Sequence, residues 1–343
     1  MSISYISLTP QKKEIISATK KLYLFNPEHD LALAVGRGPY TPPTQVVKLR
    51  NEKSLLPAIY ADKGDFILIP DEVAQCIETL PYYSLCLDKA LKPVALSELN
   101  SISGQYKTVV PWGWDHAIRR CLIENGGNEP LLPSEEQIDK IRELSHRRTA
   151  IEFRKKLDSA LLQETYLSPR ELFSIESVEE FLDFFPLAYL KAPWSSSGRG
   201  IIVADHISKK GLLEWCHGIL RRQGSIIAEP SWDRVFDFAS EWIVEKRKAI
   251  FLGFSVFTTS ERGKYHENMD APQNIILGRI KEASPNFNQD IISAQGELIE
   301  IFFGGNYEGF LGIDMFSDSQ NRINPCVEIN LRLTMGHLPI IKT

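Results

Sequence analysis

Cysteine is scarce in this chain, and the spacing of the five cysteines excludes two kinds of structural unit. Their number is odd, their intervals are long, and no CxxC pair occurs, which disfavours both a disulfide framework and a structural zinc site. We expect free thiols in a reducing compartment. The first 21 residues lack the apolar core of a signal peptide, and no run approaches the roughly 18 apolar residues of a membrane span. The sequence therefore predicts a cytoplasmic protein without a membrane partner.

An excess of positive charge is also missing. The chain has 39 Lys and Arg against 44 Asp and Glu, a net charge of -5, so no overall positive field favours nucleic acid as a partner. With 43% hydrophobic and 24% charged residues, the composition is typical of globular proteins with large buried cores. A length of 343 residues suggests about two or three domains.

Several familiar nucleotide and metal motifs do not occur. The sequence contains no GxxxxGK[ST], no GxGxxG, no HExxH, and neither the HRD nor the DFG motif of protein kinases. These absences exclude a P-loop enzyme, a dinucleotide-binding fingerprint, a zinc protease of the HExxH type and a protein kinase. Any nucleotide or metal chemistry must use other residues.

The chain changes character along its length. Short apolar runs at 22–25, 66–69 and 108–110 alternate with helical spacing, including a helix over 71–80, and predict a small parallel α/β unit over 20–125. The Gly- and Pro-rich segment 126–133 is the best domain boundary. From Arg170 onward strands become frequent, and the polar turn 246–248 predicts a hairpin. The second part is therefore expected to be α+β with antiparallel pairing.

The segment 187–204 combines the features of an anion-binding flap. Lys191 stands near the end of an apolar strand, and a loop of small residues separates it from the next strand. Glycines allow a ligand to approach the backbone closely, and hydroxyls and cations suit a polyphosphate. The loop consists of Ser195, Ser196, Ser197, Gly198, Arg199 and Gly200. The alternative is a polar hairpin loop with solvated charges.

A second chemical pattern lies near the C-terminus. Glu328, Asn330 and Arg332 alternate along a strand and so face one side, while Asp314 lies on the preceding strand. Two carboxylates and an amide oxygen are hard ligands that suit Mg²⁺ held partly by substrate phosphates. Arg332 beside them could stabilise developing negative charge. The alternative is an ordinary edge strand with a polar outer face.

Two further acids stand at strand ends. Glu229 ends a predicted strand, where its carboxylate and backbone could meet an adenine ring. Asp237 begins the next strand and could accept hydrogen bonds from ribose hydroxyls. Surface carboxylates at strand ends are common, so each is a weak signal alone.

In this order, the residues resemble the ATP-grasp superfamily of carboxylate–amine ligases, from about residue 134 to the C-terminus. The separations of 38 residues from Lys191 to Glu229 and 14 from Asp314 to Glu328 are similar to those of the family. The resemblance implies an ATP-grasp fold, α/β plus α+β, with an N-terminal Rossmann-like domain. It suggests a small α/β domain over 1–125, a first lobe with the phosphate loop over 126–230, and a second lobe with the metal site over 231–343.

The resemblance also implies roles for the nucleotide contacts. Lys191 would hold the α- and β-phosphates of ATP, and the 195–200 loop with Arg199 would close over the β- and γ-phosphates. Glu229 would contact the adenine and Asp237 the ribose. A further upstream cation contacts the phosphates in the family; Arg147 and Arg148 both stand near that place, and Arg148 is the assigned candidate.

For the metal and the reaction, the resemblance implies that Asp314, Glu328 and Asn330 bind Mg²⁺, or Mn²⁺ in its place. Arg332 would face the acyl phosphate, with Lys191 and Arg199 as the other catalytic cations.

The implied activity is ATP-dependent joining of a small-molecule carboxylate to an amine through an acyl phosphate. Two alternatives stay open: a phosphotransferase on the same fold, and a non-catalytic nucleotide-binding protein. His29 and His266 are candidate bases for the amine or ordinary loop histidines, and a homo-oligomer is compatible with the sequence.

Overall fold

A computed structural model describes residues 19–161, 169–195, 200–204, 209–259 and 265–342. In chain order, the strands are β1 Lys21–Leu24, β2 Phe66–Ile69, β3 Lys92–Ala95, β4 Thr108–Pro111, β5 Arg170–Leu172, β6 Ala188–Lys191, β7 Ile201–Val203, β8 Ile226–Pro230, β9 Arg234–Glu245, β10 Lys248–Thr259, β11 Tyr265–Asn268, β12 Gly309–Asp318 and β13 Ile323–Asn330. The α-helices are α1 His29–Val35, α2 Thr44–Glu52, α3 Asp71–Ala74, α4 Tyr83–Asp88, α5 His116–Glu124, α6 Glu135–Leu144, α7 Arg147–Ala160, α8 Ile175–Phe184, α9 Lys209–Gln223, α10 Gln273–Ala283, α11 Asp290–Phe302 and α12 Leu338–Ile341.

The chain divides into two compact units. Within the described residues, the first unit holds 19–27, 41–134 and 341–342, and the second holds 28–40 and the residues from 135 to 340. Segment 28–40, which contains α1, therefore belongs to the second unit, although it falls within the 1–125 domain expected from sequence. The division of the second unit into lobes at residue 230 stays a prediction.

The first unit is built on a parallel sheet of four short strands. Their order is β3-β2-β1-β4, and every neighbouring pair is parallel. This is the order of half a Rossmann-type sheet. All four residues of β2 are buried, as expected for a parallel strand covered on both faces. The predicted Rossmann-like N-terminal domain is confirmed.

The expected helix over 71–80 is interrupted. The structure has α3 at Asp71–Ala74 and a separate 3-10 turn at Ile77–Thr79. Leu80 is extended, with ψ of 145°, because the proline that follows it disfavours helical backbone.

The second unit contains two antiparallel sheets. The smaller has the order β5-β8-β6-β7, with α8 and α9 packed against it. The larger has the order β11-β10-β9-β12-β13, and α7 packs against β13. The predicted hairpin joins β9 to β10: its turn residues Lys246 and Arg247 have φ of 48° and 69°. Positive φ at both positions matches the right-handed twist of the paired strands.

Membrane insertion through a helix has no support in the described residues, where no helix is both long and apolar enough to span a bilayer.

Candidate functional site

Acidic side chains gather on one face of the larger sheet. Asp314 on β12 stands directly opposite Glu328 on β13, so the two carboxylates are neighbours. Asn330 follows on the same face of β13, and its amide nitrogen lies 3.5 Å from Asp314 Oδ2. On the other side of β12, strand β9 places Asp237 and Glu241 on the same face, because they pair with Phe316 and Gly312.

Two of these four carboxylates form an ion pair with an arginine, and a third is held by two hydroxyl groups. Glu328 accepts from Arg147 at 2.8 Å, and Asp237 pairs with Arg234. Glu241 is buried and accepts from the hydroxyls of Ser255 at 2.7 Å and Thr334 at 3.0 Å. Asp314 is the exception: among the described residues, no cationic side chain forms an ion pair with it.

The surroundings of Asp314 disfavour its ionised form. Burial, followed by the charge of the facing Glu328, raises the pKa of Asp314 to about 8. Two neighbouring carboxylates of this kind fit a divalent cation, which would allow both to ionise. Over the described ranges, no group of three or more His, Cys, Asp or Glu side chains could hold a metal. A set of two carboxylates and one amide therefore suits an ion whose remaining ligands come from phosphates or water.

Arg147 connects this acidic face to the base of the predicted phosphate loop. Its side chain is buried, and Nη1 donates to the Ala192 carbonyl at 2.5 Å and to Ser195 Oγ at 2.7 Å. Its backbone N–H donates to the carbonyl of Pro193. Arg147 Nε is buried and has no hydrogen-bond partner in the described part of the chain. The guanidinium therefore joins the base of the loop to the carboxylates, with its Nε–H enclosed and unpaired among the described residues.

Arg148, the sequence candidate for a phosphate contact, lies elsewhere. Its guanidinium contacts both ring nitrogens of His146 and forms an ion pair with Glu171 at 3.0 Å. The side chain is half exposed. The structure thus brings Arg147, rather than Arg148, to the acidic face, because successive helical residues point about 100° apart.

Lys191 and Glu229 meet on adjacent strands of the smaller sheet. Lys191 ends β6, and its Nζ lies 2.6 Å from Glu229 Oε2 near the end of β8. Lys191 pairs with Ile227 across the sheet, so Glu229, two residues further, shares its face. The Lys191 residue is only 5% exposed, and the carboxylate satisfies its charge.

The base of the 195–200 loop is closed tightly. Ala192 N–H donates to the Gly200 carbonyl at 2.8 Å. A Cβ at Gly200 would lie 2.3 Å from the Cβ of Ser195, so only glycine fits there. Ser196, Ser197, Gly198 and Arg199 lie outside the described residues. Their predicted roles remain predictions.

Solved structures with the same architecture are known, although no protein-family model and no curated protein matches the sequence. Biotin carboxylase from Campylobacter jejuni, in a β,γ-ATP complex, superposes with a TM-score of 0.55 at 14% identity, covering 96% of this chain and 70% of that one. N5-carboxyaminoimidazole synthetase from Staphylococcus aureus, complexed with ADP, gives 0.50 at 14% identity, covering 93% and 72%. The biotin carboxylase domain of 2-oxoglutarate carboxylase from Hydrogenobacter thermophilus, with MgADP, ADP and bicarbonate, gives 0.54 at 12% identity, covering 93% and 65%.

The chain has the ATP-grasp fold. The predicted fold class is confirmed, both in the antiparallel sheets and in the parallel sheet that precedes them. At these identities the likeness concerns the fold, and activity has to be argued from the residues of this chain.

Within the ATP-grasp fold, Arg332 is engaged by a residue that sequence reasoning missed. Asp30 of α1 accepts from Arg332 Nε at 3.0 Å and from Nη2 at 2.9 Å. No local sequence pattern links Asp30 to Arg332, because the two residues lie 302 positions apart.

Glu241 was also missed, although a signal existed. It lies four residues after Asp237 in an alternating strand, which places both on one face. Of the two candidate histidines, His29 is buried in the first turn of α1, and the side chain of His266 lies outside the described set.

Proposed function

We propose that this protein is an ATP- and Mg²⁺-dependent ligase that joins a carboxylate to an amine through an acyl phosphate. The observation that carries the proposal is the facing pair Asp314 and Glu328, with Arg147 linking it to the base of the phosphate loop. This pair occurs in a fold shared with solved structures that are complexes with ADP, MgADP or β,γ-ATP.

The nucleotide would lie along the smaller sheet and the loop that follows β6. Lys191 would bind the α- and β-phosphates, and Glu229 would meet the adenine. Their 2.6 Å ion pair supports this, because it holds the lysine in one orientation. The 195–200 loop would cover the terminal phosphates, and Asp237 would contact the ribose. We assign the further phosphate contact to Arg147 instead of Arg148, since only Arg147 reaches Ser195 and Glu328.

Asp314, Glu328 and Asn330 would hold Mg²⁺, or Mn²⁺. When bound, this ion would neutralise charge on the phosphoryl oxygens. The raised pKa of Asp314 supports the assignment, because a carboxylate whose ionised form is destabilised by burial and by a like-charged neighbour gains most from a cation.

The reaction would proceed in two steps. An oxygen of the substrate carboxylate attacks the γ-phosphorus of ATP, ADP leaves, and an acyl phosphate forms. The amine then attacks the acyl carbon, phosphate leaves, and the amine loses a proton, giving an amide. Arg147 and Lys191 would balance the charge on the transferring group, with Arg199 as a third proposed cation. A closed phosphate loop would exclude water from the acyl phosphate.

An acyl-phosphate trap tests this proposal. The full-length protein is incubated with Mg·ATP, hydroxylamine and a panel of amino, keto and dicarboxylic acids, and ADP and hydroxamate are measured. We expect one class of acid to give both products in equal amounts. Asp314→Asn should abolish both, while Glu282→Gln, which removes an exposed carboxylate of α10, should not.

Other outcomes would contradict the ligase proposal. Acid-dependent ADP without hydroxamate, together with a stable phosphorylated product, would indicate a phosphotransferase. Nucleotide binding without turnover over the whole panel would indicate a non-catalytic nucleotide-binding protein.

The proposed partners are therefore a small-molecule acid and an amine. All five cysteines are free, which supports the proposed location in the reducing cytoplasm.

A further inference from the structure

The guanidinium of Arg332 is held from several sides. Asp30 accepts from Nε and Nη2, Asn330 Oδ1 accepts from Nη2 at 2.9 Å, and the Leu333 carbonyl accepts from Nη1 at 3.0 Å. The side chains of Arg332 and Asp30 are only 17% and 19% exposed. Four of the five N–H donors of the guanidinium are thereby directed at acceptors of the protein.

Asp30 is itself fixed in place. It lies in α1, and the segment that contains α1 is tied to α6 within the same compact unit. Arg37 pairs with Glu135 at 2.7 Å and with Asp139 at 2.5 Å, and Arg142 Nε donates to the Leu33 carbonyl at 2.6 Å. Burial opposes ionisation of Asp30, but the charges of Arg332 and His29 and the hydrogen bond from Arg332 together outweigh it, and the pKa of Asp30 lies below its usual value. A fixed, ionised carboxylate thus faces Arg332.

Arg332 is also attracted by the carboxylates of the acidic face. It lies two residues beyond Asn330, where the strand that carries Glu328 ends, and the charges of Glu328 and Asp314 both act on its guanidinium. An arginine side chain is long enough to turn toward these acids if its present partner is removed. A guanidinium in contact with them would compete directly with a divalent cation.

We propose that Asp30 is a positioning residue, which holds Arg332 away from Asp314 and Glu328 and so keeps this pair accessible to Mg²⁺. The inference rests on the proposed function, because it takes these two carboxylates as metal ligands. Asp30 acts through Arg332 and contacts neither the nucleotide nor the ion.

The test is a titration of Mg²⁺ at a fixed ADP concentration, with thermal unfolding of the full-length protein as the readout. In Asp30→Asn, the Mg²⁺ concentration for half-maximal stabilisation should rise about tenfold, as is usual when a partner outside the metal's own ligands is lost. Asp30→Glu keeps the charge and should stay within about threefold of wild type. In an Arg332→Gln background, adding Asp30→Asn should cause no further change, because the competing cation is gone.

Asp139→Asn is the matched control. It removes another ion pair of the same segment, with Arg37, without touching Arg332. It should lower the unfolding temperature slightly and leave the Mg²⁺ half-saturation unchanged. If the role of Asp30 were purely structural, Asp30→Asn would likewise lower the unfolding temperature and leave the Mg²⁺ half-saturation unchanged.

The titration distinguishes failure of the positioning role from failure of the metal assignment. If wild type shows Mg²⁺-dependent stabilisation and Asp30→Asn has the same half-saturation, the positioning role is overturned and the proposed function stands. The role is equally overturned if Asp30→Asn raises the half-saturation as much in the Arg332→Gln background. If wild type shows no Mg²⁺-dependent stabilisation, the metal assignment itself fails, and this inference fails with it.

Discussion

Arg147 and Arg148 are adjacent in the chain, yet the structure gives them different surroundings. Arg147 is buried between the base of the phosphate loop and Glu328, whereas Arg148 lies half exposed beside His146 and Glu171. The sequence showed that a cation is present here. It could not show which of two neighbours faces inward, because that depends on where α7 begins.

Replacing each arginine by methionine separates the two roles. Arg147→Met should weaken stabilisation by Mg·ATP by about 2 kcal/mol or more, since it removes a charge-assisted contact in a buried site. Arg148→Met should change the stabilisation by less than about 0.5 kcal/mol, as expected for an exposed ion pair. Thermal unfolding of both variants, with and without Mg·ATP, measures these changes. Equal losses in the two variants would refute the assignment of Arg147.

At the scale of elements, the strands of the site could be predicted from the sequence, but the segments that pack against these strands could not. Alternation along β13 placed Glu328 and Asn330 on one face, and the pairing of β12 with β13 was implied by chain order. The segment 332–337, where the hydroxyl of Thr334 donates to Glu241, carries no comparable pattern. In that segment, His337 Nδ1 lies 3.0 Å from Glu241 Oε2, so the contact depends on tertiary packing.

Within the segment 332–337, Gly336 leaves no room for a side chain beside Glu241 and Ser255. A Cβ there would lie 2.0 Å from Glu241 Oε1 and 2.4 Å from Ser255 Oγ. Gly336→Ala should therefore cost about 2–3 kcal/mol of unfolding free energy, because buried polar groups must move apart. Gly278→Ala is the control: this helical glycine has nothing within 4 Å, and alanine should add about 0.5–1 kcal/mol. Chemical denaturation of both variants measures these losses of unfolding free energy. Equal losses in the two variants would contradict the close contacts of Gly336.

The start of α7 should make the protein sensitive to acid. His146 caps this helix by accepting from the Arg148 N–H. Burial and the charges of the neighbouring arginines lower its pKa to about 3, while the unfolded chain titrates near 6.5. Below pH 6.5 the unfolded state binds a proton that the folded state does not, so stability falls by about 1.4 kcal/mol per pH unit toward pH 3.

Denaturation measured from pH 7 to pH 4 checks this slope. In His146→Asn this contribution should disappear. The slope of the unfolding free energy against pH should then decrease by about 1.4 kcal/mol per pH unit, which corresponds to one proton. An unchanged slope would show that other groups cause the acid sensitivity.

At the scale of the whole molecule, the fold could be predicted because its chemical residues occur in a recognisable order. The sequence identities of 12–14% to the solved ATP-grasp structures described above leave few other residues in common. The contacts that complete the site join residues far apart in the chain, 181 positions for Arg147 and Glu328 and 302 for Asp30 and Arg332. Local sequence patterns cannot predict such contacts, because they form only when the second unit is folded.

The most direct test of the central claim is the unfolding free energy of wild type and Glu328→Gln, each with and without Mg·ATP. At a hundredfold excess over the dissociation constant, Mg·ATP should stabilise wild type by about 2.7 kcal/mol. Most of that gain should require Mg²⁺ and should be lost in Glu328→Gln, whereas Glu282→Gln should retain it. No stabilisation of wild type, or equal stabilisation of Glu328→Gln, would contradict a Mg²⁺–nucleotide site at Asp314 and Glu328.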